Sequence, residues 1–417
     1  MPNLATLVLQ IAAIVGASRL VGSLFRRAGQ PTVIGEMFAG IMLGPSLLGW
    51  VAPSISASLF APSSLGYLNA LSQVGIVIYM FLVGLDLNVR AVREQSRAAI
   101  VTSQVSIIVP FLLGTALAFP LHSRLSDASV SITTFALFMG ASMSITAFPV
   151  LARILSERRM LGTRLGSLAI ACAAVDDVTG WCILAYVVFR ARAESGSVTA
   201  LWITVAGLVV FLSAMLFGAR RLFRSFETAY KRAGGVSDNL LALLLVIAML
   251  CAVVTERLGL HLLFGAFLAG VVMPKERGFV REVLDKLETV TLVLLLPLYF
   301  AFTGLRTSVT LIAGTDMWLI CLAIVVTAVA GKLGGTLIAA RLVGRSWRQA
   351  AGLGILMNTR GLMELVILNV GLDIGVLSPS LFSMMVLMAL VTTFMTSPLL
   401  EWVYPSRLVL ADAEQVG

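Results

Sequence analysis

The sequence predicts an all-α polytopic membrane protein with thirteen transmembrane helices arranged as an inverted repeat. Three observations carry this prediction: composition, the spacing of apolar stretches, and the alternation of charge between them. The 417-residue chain is 59% hydrophobic and 12% charged, with a mean hydropathy of +0.99, against about 25% charged residues in a soluble domain. Taking about 20 apolar residues per crossing, helices are expected near 4–24, 32–50, 67–87, 98–120, 131–155, 163–189, 199–219, 239–256, 260–274, 283–305, 316–341, 349–371 and 379–403. Basic residues then fall on alternate sides. One side holds Arg26 and Arg27, Arg90 to Arg97, Arg158 to Arg164, the run from Arg220 to Arg232, Lys275 to Arg281 and Arg341 to Arg348. The other holds only Arg124, Arg190, Arg192, Arg257 and Arg306. Basic loops remain in the cytoplasm, so the N-terminus is expected outside the cell membrane and the C-terminus inside. The same pattern accounts for the net charge of +9 and assigns it to a lipid surface rather than to nucleic acid.

The first stretch starts at Leu4 without a basic leader, so it reads as a span and not as a cleaved signal. Glu36 and Asp86 lie toward the second and third helices, where a funnel role and a helix-end position stand level. The fifth span, Phe138 to Leu155, places Ser142, Ser144, Thr146 and Pro149 in its middle. Proline removes a backbone donor and clashes with the preceding turn, which predicts freed carbonyls near residues 145 and 146. In lipid, such backbone must face protein or a watery cavity.

The sixth span, Leu165 to Phe189, contains adjacent carboxylates, Asp176 and Asp177. An ionised aspartate at the centre of a spanning helix costs about 2.5–3.5 kcal/mol on insertion scales, and side chains that bear this cost typically carry ions or protons. After the seventh span comes the longest cytoplasmic loop, Ala219 to Asn239, which divides the chain into two groups of six helices. Groups of opposite orientation flanking a linker helix are the signature of an inverted repeat. The ninth span is short, separated from the eighth by Glu256, Arg257, Leu258 and Gly259, and His261 at its start reads as an interface cap rather than a pH sensor.

The eleventh span holds Lys332 among glycines, too far from a helix end to reach the surface easily, so a buried carboxylate partner is expected. The twelfth, Gly354 to Gly371, is interrupted at Asn358, Thr359, Arg360 and Gly361, with Glu364 one turn on. Arg360 and Glu364 are spaced to pair at i,i+4 and to neutralise exposed backbone ends. The interrupted fifth and twelfth spans occupy the fifth place in each group, and paired broken helices at matching places point to a transporter's binding site. Cys172, Cys182, Cys251 and Cys321 lie in apolar stretches without paired spacing and read as packing residues, with neither disulfide nor metal site. About a dozen polar residues follow Pro405, so no C-terminal soluble regulatory domain is expected.

The strings IGEMFAGIMLGPSLLG (Ile34 to Gly49), MFLVGLDLN (Met80 to Asn88), SITAFPVLARIL (Ser144 to Leu155), AVDDVTGW (Ala174 to Trp181), LFGAFLAGVVMP (Leu263 to Pro274) and MNTRGLMEL (Met357 to Leu365) resemble the monovalent cation:proton antiporter-2 family. Within it the likeness is to plant cation/proton exchangers and their bacterial relatives. The resemblance implies a fold of the NhaA and NapA type, with two crossed discontinuous helices and a homodimer. It implies a panel domain over 1–97 and 239–306, a core domain over 98–190 and 316–404, and a linker over 199–238. By the same resemblance Asp177 is the ion-binding carboxylate and Asp176 its neighbour. Thr146 supplies a hydroxyl, and Lys332 pairs with the site. Ser144, Pro149, Asn358, Thr359, Arg360 and Glu364 support the broken helices. Many plant exchangers carry Asn before the essential Asp; Asp176 restores the acidic pair associated with electrogenic exchange.

The function expected is Na⁺/H⁺ exchange by an elevator-type alternating-access mechanism, in which cation and protons compete at Asp176 and Asp177. K⁺/H⁺ exchange is the alternative, and a cation channel or sodium-coupled symporter is the rival class. No cofactor is expected beyond the transported ions. An enzyme is disfavoured by two histidines in the whole chain and by the absence of zinc-protease or nucleophile-elbow motifs.

Overall fold

The computed structural model describes residues 4–86, 97–127, 130–160, 163–194, 206–207, 209–211, 213–258 and 262–405, which are helices and short connections. Most of the predicted seventh span, Arg90 and Arg93, Gly259 and His261, and the tail beyond Pro405 lie outside the described residues. Among those described, nine helices are long and apolar enough to cross a membrane, and one further pair qualifies as a single bent span. The chain is an all-helical polytopic membrane protein.

α1 (Leu4–Arg27) and α2 (Thr32–Leu43) open the chain. The second span, expected over 32–50, is long and apolar enough to cross over Thr32–Val51, but it is not one unbroken helix: α2 stops at Leu43. Gly44 turns extended before Pro45, the backbone region a residue preceding proline prefers. Two short helical pieces follow, Leu48–Val51 and Pro53–Leu59. α3 (Pro62–Asp86) begins on a proline, ahead of the predicted start, because a first-turn residue needs no donor. Next come α4 (Arg97–Leu125), α5 (Ile132–Ser144), α6 (Phe148–Glu157) and α7 (Arg164–Glu194).

α8 (Ala219–Ala233) and α9 (Asp238–Arg257) follow, then the short α10 (Leu262–Val272). α11 (277–305) starts six residues before the predicted boundary because its first turns, RGFVREVLDK, are amphipathic rather than apolar. α12 (Thr315–Leu342), α13 (Trp347–Met357), α14 (Leu362–Asp373) and α15 (Pro379–Val403) complete the chain. Serine hydroxyls at Ser131, Ser237, Ser346 and Ser378 accept backbone N–H groups at the starts of α5, α9, α13 and α15, satisfying donors that a helix start leaves orphaned. α12 contains a π turn over Ala330–Gly334, with Lys332 at its centre. Cys172, Cys251 and Cys321 are buried, whereas Cys182 is exposed, contrary to its expected packing role.

The chain forms two compact units. One comprises Met1–Val15, Phe60–Arg90 and Val188–Phe302; the other comprises Gly16–Leu59, Ala91–Val187 and Thr303–Gly417. Within the first, α3 and α10 cross so closely that a Cβ at Gly84 would stand 2.1 Å from the Phe267 carbonyl oxygen. Lys275 follows α10 and donates to Gly84 O at 2.7 Å, Leu85 O at 2.6 Å and Gly270 O at 3.1 Å, closing the C-terminal ends of both helices. Burial pulls its ammonium down to about 7, against the opposing pull of Asp86. Within the second unit, Arg158 ties the end of α6 to α15 through Glu401 at 2.5 Å and Ser397 O at 3.1 Å. Arg306 ties the end of α11 to α14 through Asn369 at 3.0 Å and Asp373 at 2.5 Å.

Candidate functional site

The site lies wholly in the second unit, where two helices break. α5 ends at Ser144, residues 145–147 run non-helically, and α6 resumes at Phe148. Pro149 is the second residue of α6, where a missing donor costs nothing. The break falls at residues 145–147, where the proline predicts freed carbonyls, and the last carbonyls of α5 just before it are met by cations. Ser142 O accepts from Arg360 Nη1 at 2.9 Å, Met143 O from Arg360 Nη2 at 2.6 Å, and Ser144 O from Lys332 Nζ. Two cations thus sit on the negative end of a half-helix.

The second break separates α13 from α14 with a bend of 42°. Its residues meet those of the first. Met357 O accepts from the Thr146 hydroxyl at 3.1 Å, and Thr359 O accepts from the Ala147 N–H at 3.2 Å, a bond that joins the two breaks directly through backbone. Gly361 permits this approach, since a Cβ there would stand 2.6 Å from Val150 Cγ2. Glu364 lies in the first turn of α14, the favourable place for an acidic group beside a helix N-terminus. Its Oε2 accepts from Arg360 Nη1 at 3.0 Å, the i,i+4 pair the spacing predicts, with both side chains buried.

α7 carries Asp176 and Asp177 in its middle, 0% and 1% exposed. Adjacent residues on a helix do not share a face, and the two carboxylates have different surroundings. Asp176 is surrounded by donors: Ser103 Oγ lies 2.5 Å from Oδ1, while Oδ2 receives Lys332 Nζ at 2.8 Å, the Thr146 hydroxyl at 2.8 Å and Ser106 Oγ at 3.5 Å. Lys332 also donates to Ser106 O at 3.0 Å and to Ser144 O, so its three ammonium protons have three acceptors. Asp177 is different. Its Oδ1 has no hydrogen-bond partner among the described residues, and the backbone N–H of Phe148, at the start of α6, interacts with its carboxylate.

The structure therefore brings Asp176, Asp177, Thr146 and Lys332 together and surrounds them with the two breaks. Thr146 reaches Asp176 rather than Asp177. The Ser144 hydroxyl turns back to Ala141 O at 2.8 Å, so its carbonyl and not its side chain serves the site. Asn358 closes α13, and its Oδ1 has no partner among the described residues. Thr359 Oγ1 lies 3.5 Å from Thr396 Oγ1, and Arg360 N–H donates to Thr393 Oγ1 at 3.0 Å. Glu36 is buried outside this cluster, 3.9 Å from Arg19. Sequence reasoning missed Ser103 and Ser106. Their i,i+3 spacing places two hydroxyls on one face of an apolar helix, and that was the available signal.

Comparison with known proteins adds to this geometry. The family model described as "Sodium/hydrogen exchanger, transmembrane" matches residues 11–402. The chain is 42% identical over 405 residues to the Na(+)/H(+) antiporter NhaS4 of Synechocystis sp., covering 97% of this chain and 98% of that protein. It is 38% identical over 408 residues to cation/H(+) antiporter 18 of Arabidopsis thaliana, covering 98% of this chain and 50% of the plant protein, so it spans about half of that relative's length. Among solved structures, the sodium proton antiporter MjNhaP1 from Methanocaldococcus jannaschii is similar with a TM-score of 0.67 at 13% identity, covering 98% of both chains. That last likeness concerns the fold alone.

Proposed function

Because the chain belongs to the sodium/hydrogen exchanger family, we propose that it exchanges a monovalent cation for protons by alternating access, with Na⁺ as the cation and K⁺ as the alternative. It is a transporter and not an enzyme. The name of the cyanobacterial relative supports Na⁺; that of the plant relative specifies only a cation. The observation that carries the reading is the contrast between the aspartates: Asp176 is held by Lys332 and three hydroxyls, while Asp177 Oδ1 receives no donor from the described residues.

A dehydrated alkali cation requires oxygen ligands, and Asp177, Asp176 and the Thr146 hydroxyl supply them. A proton on the carboxylates weakens that site, so cation and proton compete for one place. In the cation-free form Lys332 binds Asp176. Arrival of the cation releases the lysine, which gives up its proton, and a second proton is thereby exchanged. Arg360 takes no part in this step because a guanidinium stays charged; with Ser144, Pro149, Asn358, Thr359 and Glu364 it maintains the breaks.

The wider architecture in this reading has thirteen crossings. They are the nine long helices, the broken pairs α5–α6 and α13–α14, the short α10, and the seventh segment. The two broken helices hold equivalent places in an inverted repeat. A core over 98–190 and 316–404 moves against a panel over 1–97 and 239–306, joined by the linker over 199–238, and two copies associate through their panels in the cell membrane. The N-terminus lies outside and the C-terminus in the cytoplasm.

Proteoliposomes carrying an internal pH dye test the proposal. Addition of Na⁺ or K⁺ is expected to drive a pH change in the lumen, and Asp177→Asn is expected to abolish it. Cation flux without proton counter-movement would overturn the proposal in favour of a channel.

A further inference from the structure

Arg306, at the end of α11, falls on the side that the charge alternation reads as external. In the exchange reading the panel over 239–306 ends on it, while α14 and α15 belong to the core. Its side chain is nevertheless fastened to both of those helices. Nη1 donates to Asn369 Oδ1 at 3.0 Å and Nη2 to Asp373 Oδ1 at 2.5 Å, both on α14. The guanidinium carbon lies 6.0 Å from the centre of the Phe382 ring on α15. Asn369 returns the tie by donating to Thr303 Oγ1 on α11 at 2.9 Å and to Leu365 O at 2.9 Å. Two residues past Arg306, the Ser308 N–H donates to Ser383 Oγ on α15 at 3.0 Å. The outer end of α11 thus meets α14 and α15 through directional bonds, which define one position, and not through apolar packing alone.

We propose that Thr303, Arg306 and Asn369 form a latch on the outer face that parts in every transport cycle and holds the core in one position between turnovers. This inference rests on the alternating-access reading given above. Exposure separates this cluster from the other charged tie at α14. Arg360 and Glu364 are 0% and 1% exposed and lie within one body, so parting them would strand a buried charge. The Arg306 and Asp373 side chains are 23% and 53% exposed. Water reaches them and replaces each lost bond as the helices separate, which keeps the net cost of opening to the small difference between protein and water partners. Asn369 is the buried part of the latch, and its amide bonds to both Arg306 and Thr303, so the two ties to α11 break together.

The test uses the full chain with Cys172, Cys182, Cys251 and Cys321 replaced by alanine. Thr303→Cys and Asn369→Cys are introduced together, bridged with Hg²⁺ and checked for loss of both free thiols. The bridge is expected to arrest cation-driven pH change in proteoliposomes, and removal of the mercury with a dithiol to restore it. Either single variant treated with Hg²⁺ is expected to keep exchanging. Undiminished exchange in the bridged protein overturns the inference. A second measurement needs no bridge: Ser383→Cys in right-side-out membrane vesicles is labelled with a membrane-impermeant maleimide, with and without Arg306→Gln. Ser383 is buried beneath Ser308, so opening the latch exposes it, and Arg306→Gln is expected to raise the labelling rate about tenfold, the weight of one hydrogen bond to a charged group. Arg158→Gln, which cuts a comparable tie between the end of α6 and α15 within the core, is expected to leave the rate unchanged. Equal rates with and without Arg306→Gln, or an equal rise in Arg158→Gln, overturn the inference. Labelling reports on the latch whether or not ions are exchanged, whereas a parent chain that produces no cation-driven pH change sinks the exchange reading itself.

Discussion

At the scale of single residues, the site depends on buried cations whose charge is met by carbonyls and carboxylates. Arg360 is buried, and its terminal nitrogens reach two carbonyls and a carboxylate. Arg360→Met would leave Glu364 without its cation and the end of α5 without its cap. Removing one partner of a buried ion pair costs about 3–5 kcal/mol, so a markedly lower thermal midpoint is expected in detergent. A double variant with Glu364→Leu as well is expected to recover part of that loss, because no uncompensated charge remains; equal midpoints for Arg360→Met and the parent would refute the capping role. The double aspartate, the buried lysine and the Arg360–Glu364 spacing were all legible in the sequence because charge in an apolar stretch demands a partner. The assignment of Thr146 to Asp176, and the roles of Ser103 and Ser106, were not. Those depend on the rotation of α4 and α7 about their axes, which one-dimensional hydropathy does not contain.

At the scale of elements, helix ends explain most of the polar design. Each of the four ends at the two breaks has a partner of suitable sign or hydrogen-bonding type: cations for α5, Asp177 for α6, the Thr146 hydroxyl and Ala147 N–H for α13, and Glu364 for α14. Proline and the Asn-Thr-Arg-Gly run located both interruptions in the sequence, but not the partners of the α5 carbonyls, because a proline at the start of the second half-helix says nothing of which side chains from other helices reach the end of the first. Lys275 does similar work for α3 and α10, and its burial has a consequence for pH. Its ammonium is held near 7 in the folded chain and near 10.5 when unfolded, so the unfolded state binds more protons between those values and stability from this group rises with pH across that window. Lys275→Arg, which stays charged, is expected to remove that rise. Thermal midpoints of the two proteins measured from pH 7 to 10 should diverge in favour of the parent; parallel curves would count against the assignment.

At the scale of the whole molecule, the prediction concerns charge movement. An exchange in which both the carboxylate and Lys332 give up protons moves net charge, so turnover in proteoliposomes is expected to respond to a valinomycin-imposed voltage. Strictly voltage-independent turnover would defeat the two-proton scheme, and unaltered transport in Lys332→Ala would remove the lysine from it. The class of the molecule was legible from composition, since its 12% of charged residues is about half of what a soluble domain carries. The short α10 was legible, but span boundaries were less accessible: α2 ends early and α11 begins early, for reasons of proline placement and amphipathic character rather than of mean hydropathy.

The π turn at Ala330–Gly334 has a consequence for inheritance as well as for packing. One surplus residue wound into a regular helix lets the stretch on either side keep its own rotational phase while the residue at the bulge is aimed separately. Shortening this turn by a single codon would restore an ordinary helix whose flanking stretches keep their phase while Lys332 at its centre loses its separate aim. The same deletion elsewhere in α12 would swing everything on one side of it by roughly a quarter of a revolution.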